Sequence, residues 1–317
     1  MASTDGTLSV NTSFDPETGR LVEVAPGIGR VTAPNRGAYT FTGTNTFLVG
    51  QDRLVVIDPG PRDGRHLEAL LSAIGGRPVE AIVLTHTHRD HSDLARGLQR
   101  QLKAPLCFAG RHRLYRPVSW LERRRWTRAC DFGLSPDTLL KDGDTLGVDG
   151  IVLTAMATPG HCANHLAFSV SGTPYLFSGD HVMGWSSTLV APPDGAMADY
   201  LQSLERVIVS PFSHYLPAHG GPVPEGRKYA RALLAHRRAR DRQILEGLAE
   251  GADTVGRLVG RIYKDISPAL KSAAAKTIEA HLENLVSQGE VAEQRSPFGP
   301  RYLRRPASSL QDVLPKN

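Results

Sequence analysis

The sequence predicts an α/β protein of four layers, with two β-sheets between two layers of helices, followed by a smaller C-terminal module. Three observations predict this fold. Short apolar runs separated by turn residues fill the first 220 or so residues and indicate strands. Segments with helical periodicity divide these runs into two batches, as expected when two sheets pack between helices. Beyond residue 225 helical periodicity dominates, and two short β-prone pieces follow it.

Length and composition are those of an ordinary globular protein. The chain has 317 residues, of which 40% are hydrophobic and 22% charged, enough for one large domain and a small one. No apolar run is long enough to span a bilayer, and the N-terminus lacks the pattern of a secretory signal. The three cysteines are widely spaced, which suits a reducing compartment. We therefore expect a cytoplasmic protein without a membrane partner.

Charge is unevenly distributed along the chain. Residues 226–317 contain 17 Lys and Arg against 10 Asp and Glu, a net charge of +7. The preceding 225 residues carry 20 against 22, a net charge of −2. A basic module on a slightly acidic body indicates either an anionic partner or a solvated helical surface, and composition does not separate the two.

The pattern along the chain divides it into three parts. Residues 1–17 are polar and predict a flexible tail. Residues 18–225 hold the predicted sandwich. Residues 226–317 contain three periodic segments and two β-prone pieces, EVAEQ and RYLRR, which is the order of a winged-helix module.

Local patterns add detail to the predicted sandwich. A meander over 21–58 is followed by a helix over 64–74 and a buried strand over 79–85. A helix is expected to restart at Ser92 as its N-cap. The segment 139–148 predicts a hairpin across Asp142-Gly143.

Four residues with metal-binding side chains follow the predicted buried strand within six positions: His86, His88, Asp90 and His91. Histidines at i and i+2 of an extended segment point the same way, so His86 and His88 can share one ion. Asp90 and His91, where the chain turns into a helix, can face a second ion.

Three more donors follow later strands. His161, in Thr-Pro-Gly-His, completes a three-imidazole set with His86 and His88. Asp180 offers a carboxylate that can bridge two ions, and His219 adds an imidazole to Asp90 and His91. Since every donor stands at a strand end, we expect all seven to converge at one edge of the sandwich. His181 and Cys162, which adjoin donors, are expected to be structural.

Together these motifs resemble those of the metallo-β-lactamase superfamily. The resemblance implies an αββα sandwich with a binuclear site: His86, His88 and His161 on one metal, Asp90, His91 and His219 on the other, and Asp180 between them. Asp58, in Val-Val-Ile-Asp-Pro-Gly, matches an acidic family motif, which implies that it orients a ligand imidazole; the alternative is a turn-capping aspartate. His165 either supports the site in the same way or is merely packed.

This donor set predicts a metal-dependent hydrolase. Imidazole with some carboxylate suits two zinc ions, although manganese or iron accepts the same ligands. Two cations share one water and lower its pKa, so that hydroxide becomes the nucleophile. Asp90 is the predicted catalytic residue that orients this nucleophile and carries a proton.

Further segments are similar to the beta-lactamase-like protein 2 group: 43–46, 200–204 and 236–245. That similarity implies a zinc-dependent endoribonuclease acting on single-stranded RNA, with the basic C-terminal module as a partner surface. The alternative is an acyl hydrolase acting on a small thioester, lactone or β-lactam. A third hypothesis makes the winged helix a gating and dimerisation element of a homodimer.

One segment, 111–128, does not match the family pattern. It contains seven arginines, two tryptophans and a tyrosine. Such a segment can bind single-stranded nucleic acid by stacking and charge, hold a phosphorylated carrier such as coenzyme A, or form an ordinary amphipathic helix. The sequence leaves these three explanations open.

Overall fold

The computed structural model describes residues 8–264, 267–297 and 299–306, and two large sheets form its centre. The first sheet has the order β1-β2-β3-β4-β5-β6-β7. Its strands are β1 (Leu21–Ala25), β2 (Ile28–Thr32), β3 (Asn45–Val49), β4 (Leu54–Ile57), β5 (Val79–Val83), β6 (Leu106–Phe108) and β7 (Thr138–Leu139). The first four strands form an antiparallel meander, whereas β4 to β7 run parallel.

The second sheet has the order β12-β11-β10-β9-β8 and is antiparallel except for the pair β11–β12. Its strands are β8 (Thr145–Val148), β9 (Ile151–Ala157), β10 (Leu166–Val170), β11 (Tyr175–Gly179) and β12 (His214–Pro217). Aliphatic and aromatic side chains from both sheets form one buried cluster between them, in which the rings of Phe47 and Phe177 lie 4.9 Å apart.

Helices cover the outer face of each sheet. Along the chain, β4 and β5 are connected by α1 (Gly64–Ile74). Two further helices, α2 (Arg89–Ser92) and α3 (Ala95–Leu102), connect β5 to β6. Ile74 of α1 and Leu98 of α3 pack on that sheet's outer face. The short α4 (Trp120–Trp126) precedes β7, and α5 (Met197–Val209) packs on the outer face of the second sheet. The predicted four-layer sandwich is confirmed.

The C-terminal module consists of α6 (Gly226–Ala249), α7 (Val255–Ile262), a 3₁₀ turn (Pro268–Leu270), α8 (Lys271–Ser287) and a hairpin of β13 (Val291–Gln294) and β14 (Arg301–Arg304). Buried side chains from the three helices and both hairpin strands form its own core. This is the predicted winged-helix order of three helices and a wing. Helix α6 is shared, because its first half packs on the sandwich and its second half on this core.

The predicted hairpin over 139–148 is wrong. Leu139 belongs to β7 of the first sheet and pairs with β6, whereas β8 belongs to the second sheet. The hairpin of this region is β8–β9, which turns at Asp149-Gly150, where both residues have positive φ. Asp142-Gly143 is a turn between sheets, and its carboxylate accepts a hydrogen bond from the amide of Ala157.

The predicted N-cap at Ser92 is also wrong. The segment after His88 already winds into α2, and Ser92 is its last residue. The Ser92 hydroxyl therefore donates to the carbonyl of His88, four residues back, instead of capping a new helix. Helix α3 begins three residues later, after Leu94.

Near the N-terminus, residues 8–17 form no helix or strand but make defined contacts. The amide of Asn11 donates to the carbonyl of Gly184 at 2.8 Å, and the Arg30 guanidinium lies 4.7 Å from the centre of the Phe14 ring. The first seven residues of the predicted tail lie outside the described residues. Within the described part of the chain, no helix combines the length and apolarity needed to cross a bilayer.

Candidate metal centre and active site

The seven predicted donors meet at one edge of the sandwich, where strands of both sheets end. His86 follows β5, His161 follows β9, Asp180 follows β11 and His219 follows β12. Asp90 and His91 lie on the single turn of α2, which returns them toward His86.

Three imidazoles converge on one point. The Nδ1 atom of His88 lies 2.9 Å from Nε2 of His86 and 3.0 Å from Nε2 of His161. A second group lies beside it, in which Oδ2 of Asp90 is 3.4 Å from Nε2 of His219 and 3.7 Å from Nε2 of His91. These are distances expected between ligand atoms that surround a common cation.

Asp180 lies between the two groups. Its Oδ2 atom is 3.6 Å from Nε2 of both His161 and His91, and its Oδ1 atom is 3.4 Å from Nε2 of His219. One carboxylate therefore faces donors of both groups, which is the arrangement that a bridging ligand needs.

Unpartnered atoms test whether these residues fit metal ions. Nε2 of His91, Nε2 of His219 and Oδ1 of Asp180 are buried and have no hydrogen-bond partner within the described residues. Buried polar atoms are nearly always paired, because an unpaired one costs free energy. Cations bound among these atoms satisfy all three, so the donor set fits a divalent metal pair.

The second nitrogen of each imidazole is held by a partner, which leaves the first nitrogen free for a metal. The Nδ1 atom of His86 donates to the Thr85 hydroxyl, and that of His91 donates to Asp58. The Nδ1 atom of His161 donates to the Leu189 carbonyl, and that of His219 donates to the Gly43 carbonyl. In His88 the roles are exchanged, because Nε2 donates to Asp194 at 2.7 Å and Nδ1 faces the other donors.

Asp58 occupies the position that the resemblance implied. Its Oδ2 accepts from Nδ1 of His91 at 2.9 Å and from the Thr85 hydroxyl at 2.6 Å, and its Oδ1 accepts from the Thr85 amide. Because the Thr85 hydroxyl donates to Asp58, it must accept from His86. One buried carboxylate therefore fixes the tautomers of two predicted ligands.

His165 supports the backbone of Asp180 rather than joining either group of donors. Its Nδ1 lies 2.8 Å from the Thr158 hydroxyl, and its Nε2 accepts from the backbone amide of Asp180 at 3.1 Å. Burial lowers the pKa of His165 well below its usual value, so the ring is neutral and its Nε2 can accept. His181 packs its ring on Tyr200, and Cys162 is buried, as expected of structural residues.

The group that lies behind His88 was not predicted from the sequence. Asp194 accepts from His88 through Oδ2, and its Oδ1 lies 2.8 Å from Nε2 of His112. The other nitrogen of His112 lies 2.9 Å from the Thr87 hydroxyl. Burial would lower the pKa of His112, but Asp194 and Cys130 have the larger, opposite effect, so the pKa is raised. These residues belong to three separate loops, and no motif connects them.

Electrostatics favour cation binding. Burial alone would raise the pKa of Asp90, but the neighbouring His91 and His219 have the larger, opposite effect. The pKa is therefore lowered, and the carboxylate is ionised. Burial lowers the pKa of His219, but Asp180 and Asp90 raise it to about 9. In the absence of metal this imidazole holds a proton at neutral pH, and a cation must displace it.

A cavity of about 720 Å³ opens at the donors, and its walls come from both parts of the chain. Asp90, His161 and Asp180 line it on the sandwich side, and Lys276 and Thr277 of α8 line it on the other. The remaining wall includes Trp185 of the loop after β11, Trp126 at the end of α4 and Arg128, which follows that helix.

Segment 111–128 divides between two environments. His112 is buried beside Asp194, whereas α4 buries none of its residues, and 69% of Trp120 is exposed. Arg124 lies over the Trp120 ring and Arg123 over the Phe132 ring. Its seven arginines are therefore exposed, and Arg128 lines the cavity, so the segment is not packed as one face of an amphipathic helix.

Comparison with known proteins agrees with this geometry. Residues 39–219 match the Metallo-beta-lactamase superfamily, and residues 254–299 match the Beta-lactamase associated winged helix domain. A Beta-lactamase-like protein 2 homolog of Caenorhabditis elegans is 26% identical over 280 residues, covering 86% of this chain and 88% of that protein. An Atrochrysone carboxyl ACP thioesterase of Claviceps purpurea is 28% identical over 258 residues, covering 78% and 76%.

Among solved structures, a beta-lactamase domain protein from Burkholderia ambifaria superposes with a TM-score of 0.78 at 23% identity, covering 96% of this chain and 99% of that one. This likeness extends over both the sandwich and the C-terminal module. The family match covers more than half of the chain, and the donors of its motifs meet at one edge of the fold. The chain belongs to the metallo-beta-lactamase superfamily of hydrolases, with the winged-helix domain associated with that family behind its sandwich.

Proposed function

We propose that the protein is a binuclear zinc-dependent hydrolase whose substrate is a small acyl compound, a thioester, lactone or β-lactam. The observation that carries this proposal is the position of the donors in a cavity of about 720 Å³. Pockets for small molecules measure roughly 300–1,000 Å³, so the cavity suits a compact ligand. The thioesterase relative gives independent support for acyl chemistry.

The donor chemistry supports zinc. Five imidazoles and two carboxylates match the ligand preferences of this ion. When bound, such a pair of cations lowers the pKa of a shared water and polarises the carbonyl oxygen of a substrate. His86, His88 and His161 would hold one ion, Asp90, His91 and His219 the other, and Asp180 would contact both.

Asp90 is proposed as the residue that orients the attacking water and carries its proton. It is the most exposed of the seven donors, with 30% of its side chain accessible, and it lines the cavity. Its carboxylate is ionised, because His91 and His219 keep its pKa low. An ionised oxygen beside the reacting carbonyl can accept a proton and later return it to the leaving group.

RNA is the second candidate substrate. The exposed arginines of segment 111–128 beside the cavity favour it, as does the net charge of +7 over residues 226–317. Of the basic residues in that module, however, Arg237 and Lys276 are the ones that line the cavity, and Lys276 pairs with Glu279 at 2.6 Å. A bound strand needs an open, basic groove, so the cavity favours the acyl substrate over RNA.

A side-by-side assay separates the two. Purified protein with measured metal content is given a thioester, a lactone, nitrocefin and labelled single-stranded RNA. We expect two equivalents of zinc per chain and turnover of at least one acyl substrate, which the variant with His86→Ala and Asp90→Asn loses. If RNA alone is cleaved, and the variant does not cleave it, the second candidate replaces the first. A protein that binds no transition metal refutes both.

A further inference from the structure

Arg237, in the segment 236–245 that matches related sequences, is a buried cation on the wall of the active-site cavity. It lies in α6 and is only 2% exposed. No carboxylate of the described residues forms an ion pair with it, and its Nε atom has no hydrogen-bond partner there. The guanidinium contacts neutral groups: it donates through Nη2 to the Thr188 carbonyl and lies 5.2 Å from the centre of the Tyr200 ring.

A buried guanidinium without a counter-ion is unusual, because removing a charge from water is unfavourable unless an opposite charge compensates it. Two neighbouring arginines of α6 are less buried than Arg237. Arg238 pairs with Glu205 at 2.8 Å on the surface, and Arg240 lies over the Tyr263 ring and donates to Gln243. Of these three arginines, Arg237 is therefore the one that is both buried and on the wall of the cavity.

Three residues of α8 on that wall can donate hydrogen bonds, and they lie among apolar residues such as Leu270 and Ala273. They are Ser272, Lys276 and Thr277. Hydroxyl groups beside a buried guanidinium form the usual surroundings of a bound carboxylate or phosphate, and the guanidinium can bind either through two parallel hydrogen bonds.

We propose that Arg237 anchors an anionic group of the substrate in the cavity, with the hydroxyls of α8 beside it. The inference rests on the proposed acyl hydrolase function and narrows its substrate class to acyl compounds that carry a separate carboxylate or phosphate. It also gives the winged-helix module a direct role, since α6 and α8 supply the anion subsite while the sandwich supplies the metal donors.

Arg237 could instead only brace the site. It holds the Thr188 carbonyl, and the Thr188 hydroxyl donates to the carbonyls of Asp180 and His181. The adjacent Leu189 carbonyl holds His161. A bracing role would disturb the metal centre itself, so its loss would impair every substrate alike, whereas loss of an anion subsite impairs anionic substrates alone.

Three thioesters distinguish these roles and the source of the anion. S-acetyl-N-acetylcysteamine is neutral, S-succinyl-N-acetylcysteamine carries a carboxylate on the acyl side, and acetyl-coenzyme A carries phosphates on the thiol side. In zinc-loaded Arg237→Gln we expect kcat/KM to fall at least tenfold, chiefly through KM, for one anionic substrate and less than threefold for the neutral one. Arg237→Lys should retain part of the anionic activity, and Arg238→Gln, at a surface ion pair on the same helix, should change nothing.

The proposed subsite is refuted if kcat/KM falls equally for all three thioesters in both Arg237→Gln and Arg237→Lys, or if it does not fall at all. Zinc content and melting temperature identify a variant that fails to fold, in which case Arg237→Lys decides alone. If the wild-type protein hydrolyses none of the three, the thioester function has failed separately. The subsite is then decided by titrating zinc-loaded wild type and both variants with inorganic phosphate and with succinate. Equal affinities refute it, and weaker binding by the variants supports it.

Discussion

Single hydrogen bonds decide which nitrogen of each imidazole is left for a cation. Asp58 accepts from His91 and, through Thr85, determines the tautomer of His86. Asp194 does the same for His88 from the other side of the site. Asp58 thus supports donors of both groups, His91 directly and His86 through Thr85, whereas Asp194 supports only His88 among the seven donors.

Asp58→Asn is expected to weaken zinc binding by about 10–100-fold, the usual effect of removing a partner that orients a ligand imidazole. The amide of asparagine offers one acceptor oxygen in place of two, so it cannot satisfy His91 and both donors of Thr85. Competition with a chromophoric chelator measures the affinity. Asp52→Asn, in the exposed turn after β3, is the control; equal affinities of the two variants would contradict this role.

Asp194→Asn is expected to act on a single ion, the one predicted for His86, His88 and His161. His88 donates to this carboxylate, so an amide there leaves the ring free to rotate its Nδ1 away from His86 and His161. We expect a loss of about 10–100-fold in affinity for one of two bound ions. Cobalt(II) titration followed by its visible spectrum reports the two ions as they bind. The prediction would be contradicted if Asp194→Asn weakened both ions equally or neither of them.

The seven donors could be predicted because their motifs stand directly after recognisable strands. Asp194 could not, because it lies in an irregular loop 106 residues from the histidine that it holds. His112 and Cys130 were equally hidden, since only the tertiary fold brings their loops together. Sequence patterns therefore located the seven donors, Asp58 and His165, and missed Asp194 and His112, which hold His88 from behind.

At the scale of elements, the turn before His161 is fitted to the start of α5. Gly160 has φ of +131°, and a Cβ at this position would lie 2.3 Å from the backbone N and Cα of Tyr200. The turn at Gly160 and the start of α5 therefore cannot move independently, and His161 is the next residue after the turn. The position of α5 therefore constrains the position of His161, a predicted ligand.

Gly160→Ala is expected to lower the free energy of unfolding by at least about 2 kcal/mol, from backbone strain and the collision together. Urea unfolding followed by circular dichroism measures it. Gly172→Ala is the matched control, because Gly172 also has positive φ, +73°, but an added Cβ there would meet no atom within 4 Å. A cost for Gly160→Ala no larger than that of the control would show that the turn is not constrained by α5.

Element boundaries followed the sequence where local patterns were sufficient. Helix α1 has the predicted bounds, since Asp63 caps its start and Gly75 adopts a left-handed conformation at its end. The hairpin over 139–148 failed because Asp142-Gly143 has the local signature of a hairpin turn, while the partners of β7 and β8 lie in different sheets. Strand pairing is a property of the tertiary fold, which local turn chemistry does not determine.

At the scale of the whole molecule, the sandwich and the winged-helix module are joined by helix α6, which is buried in the core of each. Ala230 and Leu233 of α6 are buried against α5 and the second sheet, and Ala280 of α8 joins the same cluster. Ile244 and Leu248, farther along α6, are buried in the C-terminal core. A continuous helix that belongs to two cores couples their unfolding, so the two parts should not behave as independent domains.

Leu233→Ala tests this coupling. Truncating a fully buried leucine lowers the free energy of unfolding by about 2–5 kcal/mol, and here the loss should apply to the whole chain rather than to the sandwich alone. Calorimetry is expected to show one transition in the wild type, moved to lower temperature in the variant, with equal calorimetric and van't Hoff enthalpies. Ile278→Ala, in the C-terminal core, should move the same single transition. Two transitions, each moved by only one of the substitutions, would mean that the modules unfold independently and that the cavity between them can open without loss of either fold.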